Sequence, residues 1–153
     1  LGQNQGGSGP PAYNYGNYSS PVMIPSGDTK WSDAQISYTA MRGLKTDGTL
    51  WTWGKNEYGE LGLSGTANQH KSSPTQVGTG TNWYSVAMSS MFTIASKTDG
   101  TVWTWGMSNQ GSLGLNQTPG TIVKTPVQVG ALSAWTEVNI GGEANTAFAF
   151  LKQ

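Results

Sequence analysis

The chain has 153 residues, a formal charge of zero from 8 basic and 8 acidic side chains, and no cysteine. Only 10% of residues are charged against a usual share of about 25%, while 22 are glycine. This excludes disulfide, thiolate and Cys-based metal chemistry and offers no clustered Lys and Arg for a phosphate backbone. No 18-residue apolar run is present, so no transmembrane helix is expected. The composition is that of a turn-rich all-β chain, and its first residues, Leu1-Gly2-Gln3-Asn4, are neither a start methionine nor a signal peptide.

From the N-terminus, the first landmark is Leu1-Gly2, followed by a Tyr/Gly-rich stretch over 3–20 and the short apolar run Pro21-Val22-Met23-Ile24. Tyr13, Tyr15 and Tyr18 crowd into six residues among Gly, Asn and Ser. That mix of rigid amphipathic rings and adaptable hydrogen-bonding residues is the composition of a contact surface, and equally of a loop folded over its own scaffold. Trp31 then opens a strand-like stretch that ends in Lys45.

The next segment, Thr46-Asp47-Gly48-Thr49-Leu50-Trp51-Thr52-Trp53-Gly54, recurs 52 residues later over 98–106 with Leu50 replaced by Val102 and nothing else changed. The chain is therefore an internal repeat. Asp47-Gly48 and Asp99-Gly100 predict tight turns that tolerate positive φ. The alternation after each turn predicts a strand with Trp51 and Trp53, or Trp103 and Trp105, on one face.

The other landmarks repeat in step. Leu61-Gly62 and Leu113-Gly114 follow the double-Trp strands, and Pro74-Thr75-Gln76-Val77 and Pro126-Val127-Gln128-Val129 follow after loops. Trp83 and Trp135 continue the series begun by Trp31, at intervals of 52, with strand-like stretches running to Lys97 and Lys152. Three or four short strands per 52 residues point to all-β propeller blades stacked around a channel. The units run approximately over 1–60, 61–112 and 113–153, the last incomplete. In such blades Trp31, Trp51, Trp53, Trp83, Trp103, Trp105 and Trp135 are inter-blade filler. Each Pro-led run fits an edge strand or a first strand position, where a missing N–H is harmless.

The segments Trp53-Gly54-Lys55-Asn56-Glu57-Tyr58-Gly59-Glu60-Leu61-Gly62 and Trp105-Gly106-Met107-Ser108-Asn109-Gln110-Gly111-Ser112-Leu113-Gly114 resemble the regulator-of-chromosome-condensation repeat. The resemblance covers almost the whole chain and implies a propeller of four-stranded antiparallel blades, seven in the best-known members. About three blades fit in this chain, whereas seven at this length need roughly 360 residues. The expectation is a segment of a larger ring. The competing expectation is that copies of the chain complete a ring or arc together.

The family often carries a His near a Gly in the strand after the Trp, at positions that in its founding member help engage a small GTPase. Here those positions are Ala40 and Phe92. The third unit has Gly141-Gly142-Glu143-Ala144-Asn145-Thr146 and no His. Nucleotide exchange gains little support from that. The single His70 lies in a variable loop and reads as a solvated loop residue.

No catalytic constellation stands out. Asp47 and Asp99 precede Gly in repeated turns and read as caps. Glu57 and Glu60 flank Tyr58 in a turn, and Glu137 and Glu143 lack repeat equivalents. Phosphate-loop and dinucleotide fingerprints are missing, and no acid pair is marked out for glycoside hydrolysis. The expectation is a non-enzyme without metal or cofactor that binds protein chains, further repeats or a surface glycan, with Tyr13, Tyr15 and Tyr18 as contact residues. Low charge with abundant Gly, Asn, Thr and Ser suggests an extracellular or phage-virion surface of fibre, adhesin or decoration type. The alternatives are a soluble protein inhibitor, like the secreted propeller that blocks β-lactamases, or a guanine-nucleotide exchange or adaptor propeller.

Overall fold

A computed structural model describes residues 30–65, 68–131, 133–135, 137–141 and 148–152. The stretch over 3–20 with Tyr13, Tyr15 and Tyr18, the Pro21 run and Glu143 lie outside these residues. The described chain is all strand and turn: β1 (Trp31–Ser37), β2 (Ala40–Lys45), β3 (Leu50–Gly54), β4 (Lys71–Gln76), β5 (Trp83–Met88), β6 (Phe92–Lys97), β7 (Val102–Ser108), β8 (Thr121–Gln128), β9 (Glu137–Gly141) and β10 (Phe148–Lys152). Among the described residues no helix is long and apolar enough to cross a membrane.

Strands β1 to β4 form one four-stranded sheet in chain order, and β5 to β8 form a second. Every pairing is antiparallel. Among the described residues the third unit contributes the two-stranded pair β9–β10 beside the two four-stranded blades. The strands of the first sheet span 31–76 and those of the second 83–128. Residues 60 and 61 fall inside the first sheet, between β3 and β4, because the Pro-led run closes the sheet that its own double-Trp strand belongs to.

Two readings of the sequence change in detail. The stretch from Trp to Lys is not one strand but a hairpin, turning at 38–39 and again at 89–91. In the second hairpin the Ser89 hydroxyl accepts from the N–H groups of Met91 and Phe92 at 3.2 and 3.1 Å, a local side-chain turn that a strand-like composition hides. The prolines do not head their strands either. Pro74 is the fourth residue of β4 and Pro126 the sixth of β8. Each sits in the register break where β4 or β8 leaves the double-Trp strand, on the outer strand of its sheet, so no ladder bond is lost.

The Asp-Gly turns join one blade to the next. Gly48 and Gly100 have φ of 76° and 77°, and a Cβ on either would collide with the carbonyl oxygen of Thr81 or Ser133. The turn needs glycine for the backbone angle and for the close approach together. That approach lets Gly48 accept from the N–H of Trp83 at 3.0 Å and Gly100 from that of Trp135 at 3.1 Å. The Trp that starts each new unit is thus tied to the turn of the unit before.

Packing follows the same plan. Leu44, Leu50 and Val77 of the first blade meet Trp83, Val86, Phe92, Ala95 and Trp105 of the second in one apolar seam. Ala87, Ile94 and Val102 meet Val138 in the next seam, with Trp135 against them. Trp83 is buried, and Trp53 and Trp105 are the two largest fully buried side chains, while Trp31, Trp51, Trp103 and Trp135 are half-buried. Trp31 lies edge-on to Trp51 with ring centroids 6.3 Å apart, and Trp83 stands in the same relation to Trp103 at the same distance. In each double-Trp strand the second ring fills the blade and the first lies nearer the rim.

This ordering sets the expected losses. Replacing Trp105 by Ala should lower the unfolding free energy by about 3–5 kcal/mol, the range for deleting a buried aromatic. Trp103→Ala should cost clearly less, because part of its ring already meets water. Urea denaturation of the two variants checks the order, and equal losses would contradict it.

Candidate functional site

Strand β5 begins with a bulge. Trp83 pairs with Lys97 and Ser85 with Ser96, so Tyr84 is the extra residue left out of the ladder. A bulge re-aims its side chain, and Tyr84 is 57% exposed. The equivalent bulge in β1 holds Ser32, whose hydroxyl instead donates to the Leu44 carbonyl at 3.0 Å. Identical backbone irregularities thus carry a tied-down Ser in one blade and a projecting Tyr in the next.

Tyr84 forms one wall of a recess of about 400 Å³ between the second blade and the third unit. Trp135 lines it as well, together with Lys97, Thr98, Asp99 and Gly100 of the turn and Ser133 and Ala134 of the facing loop. The turn that lines the recess is rigid for reasons legible in its residues. The Trp103 indole N–H donates to the Thr101 hydroxyl at 2.8 Å, and that hydroxyl donates to the Asp99 carboxylate at 2.6 Å. The Thr101 N–H donates to the same carboxylate oxygen at 3.0 Å. Hydroxyl and N–H together hold the Asp99 carboxyl below its usual range. Trp51, Thr49 and Asp47 repeat the relay at 2.9, 2.7 and 3.0 Å.

The lysine ending each hairpin completes the corner. Lys97 Nζ lies 4.0 Å from the Trp103 ring centroid, and Lys45 Nζ lies 4.1 Å from that of Trp51. Both are close enough for cation–π attraction. Asp47, Asp99 and the rim-side Trp residues are therefore engaged in holding the turn.

A second junction, between the first and second blades, is built at the loop after β3. Glu60 is buried, and its carboxylate accepts from the N–H groups of Tyr58 and Glu57 at 2.7 and 3.2 Å. The Asn56 side chain accepts from the Leu61 N–H at 3.1 Å, closing the same loop. The Glu60 carbonyl in turn accepts from the Thr93 hydroxyl at 2.8 Å and the Trp105 indole at 2.9 Å, both from the second blade. Gly62 has to be glycine here: its φ is 69°, and a Cβ would come within 2.6 Å of the Trp105 Nε1. Burial raises the Glu60 carboxyl above its normal range, and the backbone donors only partly offset that. In the second repeat Ser112 stands in its place and accepts from the Asn109 N–H at 3.2 Å.

Several residues singled out from the sequence find plain positions. Glu57 pairs with Lys55 at 2.8 Å. His70 is exposed, and its Nδ1 accepts from the Asn56 N–H at 3.0 Å. Ala40 is buried with Leu61 and Met88, and Phe92 belongs to the first apolar seam. Among the described residues no group of three or more His, Cys, Asp or Glu is placed to hold a metal ion. Sequence reasoning overlooked Tyr84 and the Glu60 hub. The signal for both was a break in the 52-residue pattern, Tyr84 against Ser32 and Glu60 against Ser112.

The profile described as the regulator of chromosome condensation (RCC1) repeat matches residues 47–96 and 99–148, about two thirds of the chain. The chain belongs to the RCC1 repeat family. Human HERC3, described as a probable E3 ubiquitin-protein ligase, is 40% identical over 75 residues, 48% of this chain and 7% of that protein. Among solved structures, human WBSCR16 superposes with a TM-score of 0.60 at 25% identity over 73% of this chain and 29% of the other. Prp20p from Saccharomyces cerevisiae, described with its binding to Gsp1p and histones, gives 0.63 at 19% identity over 75% and 30%. The chain thus spans less than a third of these solved proteins and a small fraction of HERC3. The β-propeller fold class is established by the two four-stranded antiparallel sheets together with these neighbours.

The two shifted carboxyls pull stability in opposite directions with pH. Glu60 is raised, so its contribution is most favourable near and below the ordinary value of 4.5 and declines as pH rises through its elevated folded value. Asp99 is lowered, so its contribution is complete above the ordinary 3.8 and lost as pH falls below that. Unfolding free energies of wild type and Glu60→Gln between pH 4.5 and 8 should shift in the variant's favour as pH rises. A constant difference would show that burial does not disfavour the Glu60 anion.

Proposed function

We propose that this chain works by binding other proteins through unequal side chains displayed on a repeated scaffold, and not by catalysis. The observation that carries this is Tyr84: an aromatic set out of its ladder by a bulge, beside a recess, where the equivalent residue Ser32 is tied down. Tyr and Trp are over-represented among residues that dominate binding energies, and loops and irregularities on rigid scaffolds are where such residues gather. The carboxylates that chemistry would need, at Asp47, Asp99 and Glu60, are engaged by their own turns.

Relatives support protein binding as the class of function. Prp20p is described as binding Gsp1p and histones, and another yeast RCC1 structure is described as bound to Kap60. Exchange on a GTPase is the second reading, and the burial of Ala40 and Phe92 speaks against it here. The setting we propose, on composition alone, is an extracellular or virion surface, where low charge and abundant Gly, Asn, Thr and Ser are at home. Co-purification with particles or cell surface is the expected behaviour there.

The test uses the full chain to capture a partner from its source, then titrates that partner against wild type and Tyr84→Ser. The variant copies the first blade, so the thermal midpoint should hold while affinity drops about tenfold or more, as for a binding hot spot. Unchanged affinity would sink the assignment of Tyr84. Accelerated release of labelled GDP from a small GTPase would favour the exchange reading instead.

A further inference from the structure

The recess beside Tyr84 takes its shape from two places where the second seam departs from the first. Tyr84 stands where the first seam has Ser32, and Ala134 stands where it has Asn82. A large ring on one wall and a short side chain on another open a slot of about 400 Å³. The backbone around the slot keeps the common plan. The Trp135 N–H donates to the Gly100 carbonyl at 3.1 Å, as the Trp83 N–H does to that of Gly48 at 3.0 Å.

The slot also has a charge of its own. Asp99 lines it and is exposed. The Thr101 hydroxyl and N–H both bond to Oδ1 of Asp99, and neither uses Oδ2. Those bonds hold the carboxyl below its ordinary range, so the group is an anion at neutral pH. Lys97 lines the slot as well, but its ammonium lies over indole rings, 4.0 Å from the centroid of Trp103 and 4.8 Å from that of Trp83. The first turn has one cation more beside it. The Lys30 carbonyl accepts from the Thr46 N–H at 2.9 Å, and at the second turn the neutral Asn82 takes that place towards Thr98, also at 2.9 Å. Position 30 brings a lysine to the rim of the first turn, and position 82 brings none to the second.

We propose that this slot receives an arginine side chain of a partner protein, its guanidinium stacked on the Tyr84 ring and paired with Oδ2 of Asp99. The inference rests on the protein-binding role given to Tyr84 above and names the group that Tyr84 meets. A guanidinium is planar, weakly hydrated and carries its donors in a rigid fork, so one group can lie on an aromatic face and bond a carboxylate. An ammonium is a compact, strongly hydrated point charge and matches that pair of features less well. Charge-assisted bonds of this kind are shorter and stronger than neutral ones. Asp99 can make the new bond without leaving its turn, because Oδ1 stays with Thr101. The first seam offers the equivalent acid, Asp47, but a serine where the ring would be, which confines the site to the second seam.

The experiment titrates the isotope-labelled full chain with the peptide acetyl-Gly-Arg-Gly-amide and with its lysine and citrulline counterparts, and follows backbone amide shifts. The expected result is saturable shifts at 84, 97–100 and 133–134 with the arginine peptide, and affinity about tenfold or more weaker for the other two. Asp99→Asn keeps an Oδ1 for Thr101, so the spectrum should stay that of the folded chain while arginine affinity falls by a similar factor. Asp47→Asn should leave that affinity unchanged. Shifts that do not saturate or that map elsewhere would overturn the proposal, as would equal affinity for the citrulline or lysine peptide. Saturation of the same amides by methyl glucoside but not by the arginine peptide would overturn it in favour of a neutral sugar. With a captured partner, loss of affinity in Tyr84→Ser but not in Asp99→Asn would overturn the arginine and leave protein binding through Tyr84 standing. No loss in either variant would overturn both.

Discussion

The Glu60 carbonyl holds the two complete blades in register, and much of the remaining structure depends on its being available. It accepts a hydroxyl from Thr93 and an indole N–H from Trp105 beside the apolar seam. Apolar contact between sheets is non-directional and fixes a separation, not a position along the strands. Two hydrogen bonds to one buried oxygen fix the position. Their net gain is about 0.5–1.5 kcal/mol each, but leaving such a buried donor unsatisfied costs about 1–3 kcal/mol. A slipped arrangement is therefore penalised more strongly than the correct one is rewarded.

Keeping that oxygen in place is the task of the whole loop from Asn56 to Gly62. A backbone carbonyl aimed out of a loop and into a neighbouring sheet requires the loop's own N–H groups to find partners elsewhere. The Glu60 carboxylate and the Asn56 amide supply them. A buried carboxylate is a costly way to satisfy two amides, as its upward shift shows. The second repeat does the same with the neutral hydroxyl of Ser112 at less cost in desolvation. The first seam also buries Arg42, on the strand face that carries Ala40 and Leu44, paired with Asp33 at 2.6 Å and Gln35 at 3.2 Å. The equivalent residue in the second blade is Ile94. Seams of one backbone plan are thus held by different mixtures of polar and apolar contact, which specifies which blade follows which.

The repeat made much of the fold legible in advance. The Asp-Gly turn, the double-Trp strand and the Leu-Gly loop are local devices whose residues state their geometry: a positive φ, a period of two, a glycine under a ring. What stayed hidden was nonlocal. Nothing in Ser37-Tyr38-Thr39-Ala40 looks like a turn, because the hairpin there is set by pairing of β1 with β2 and by the Thr39 carbonyl accepting from the Lys55 N–H at 3.0 Å. Rim and seam roles of Trp51 and Trp53 were also indistinguishable, since period-two reasoning puts both on one face and cannot say which end of the strand is deep. Tyr84 and Glu60 were missed for a different reason. The eye follows what repeats, and both residues are departures from the repeat.

Those departures mark where the scaffold permits change. A residue inside a ladder answers to a cross-strand neighbour, and Ala34 and Gly43 and their counterparts Val86 and Ala95 stay small or apolar, whereas Arg42 becomes Ile94 with its partners Asp33 and Gln35 replaced by Ser85 and Ala87. A bulged residue answers to no such neighbour. Its backbone is fixed by the register shift around it, while its side chain is left without a cross-strand pair. Ser32 and Tyr84 therefore differ in size and polarity without any change in the strands that carry them. Beside them the relay from Trp through Thr to Asp, capped by Lys, is the same in both blades to within 0.1 Å. An invariant corner next to a freely variable side chain is the arrangement that lets a repeat protein alter what it contacts at one blade without disturbing how that blade is built.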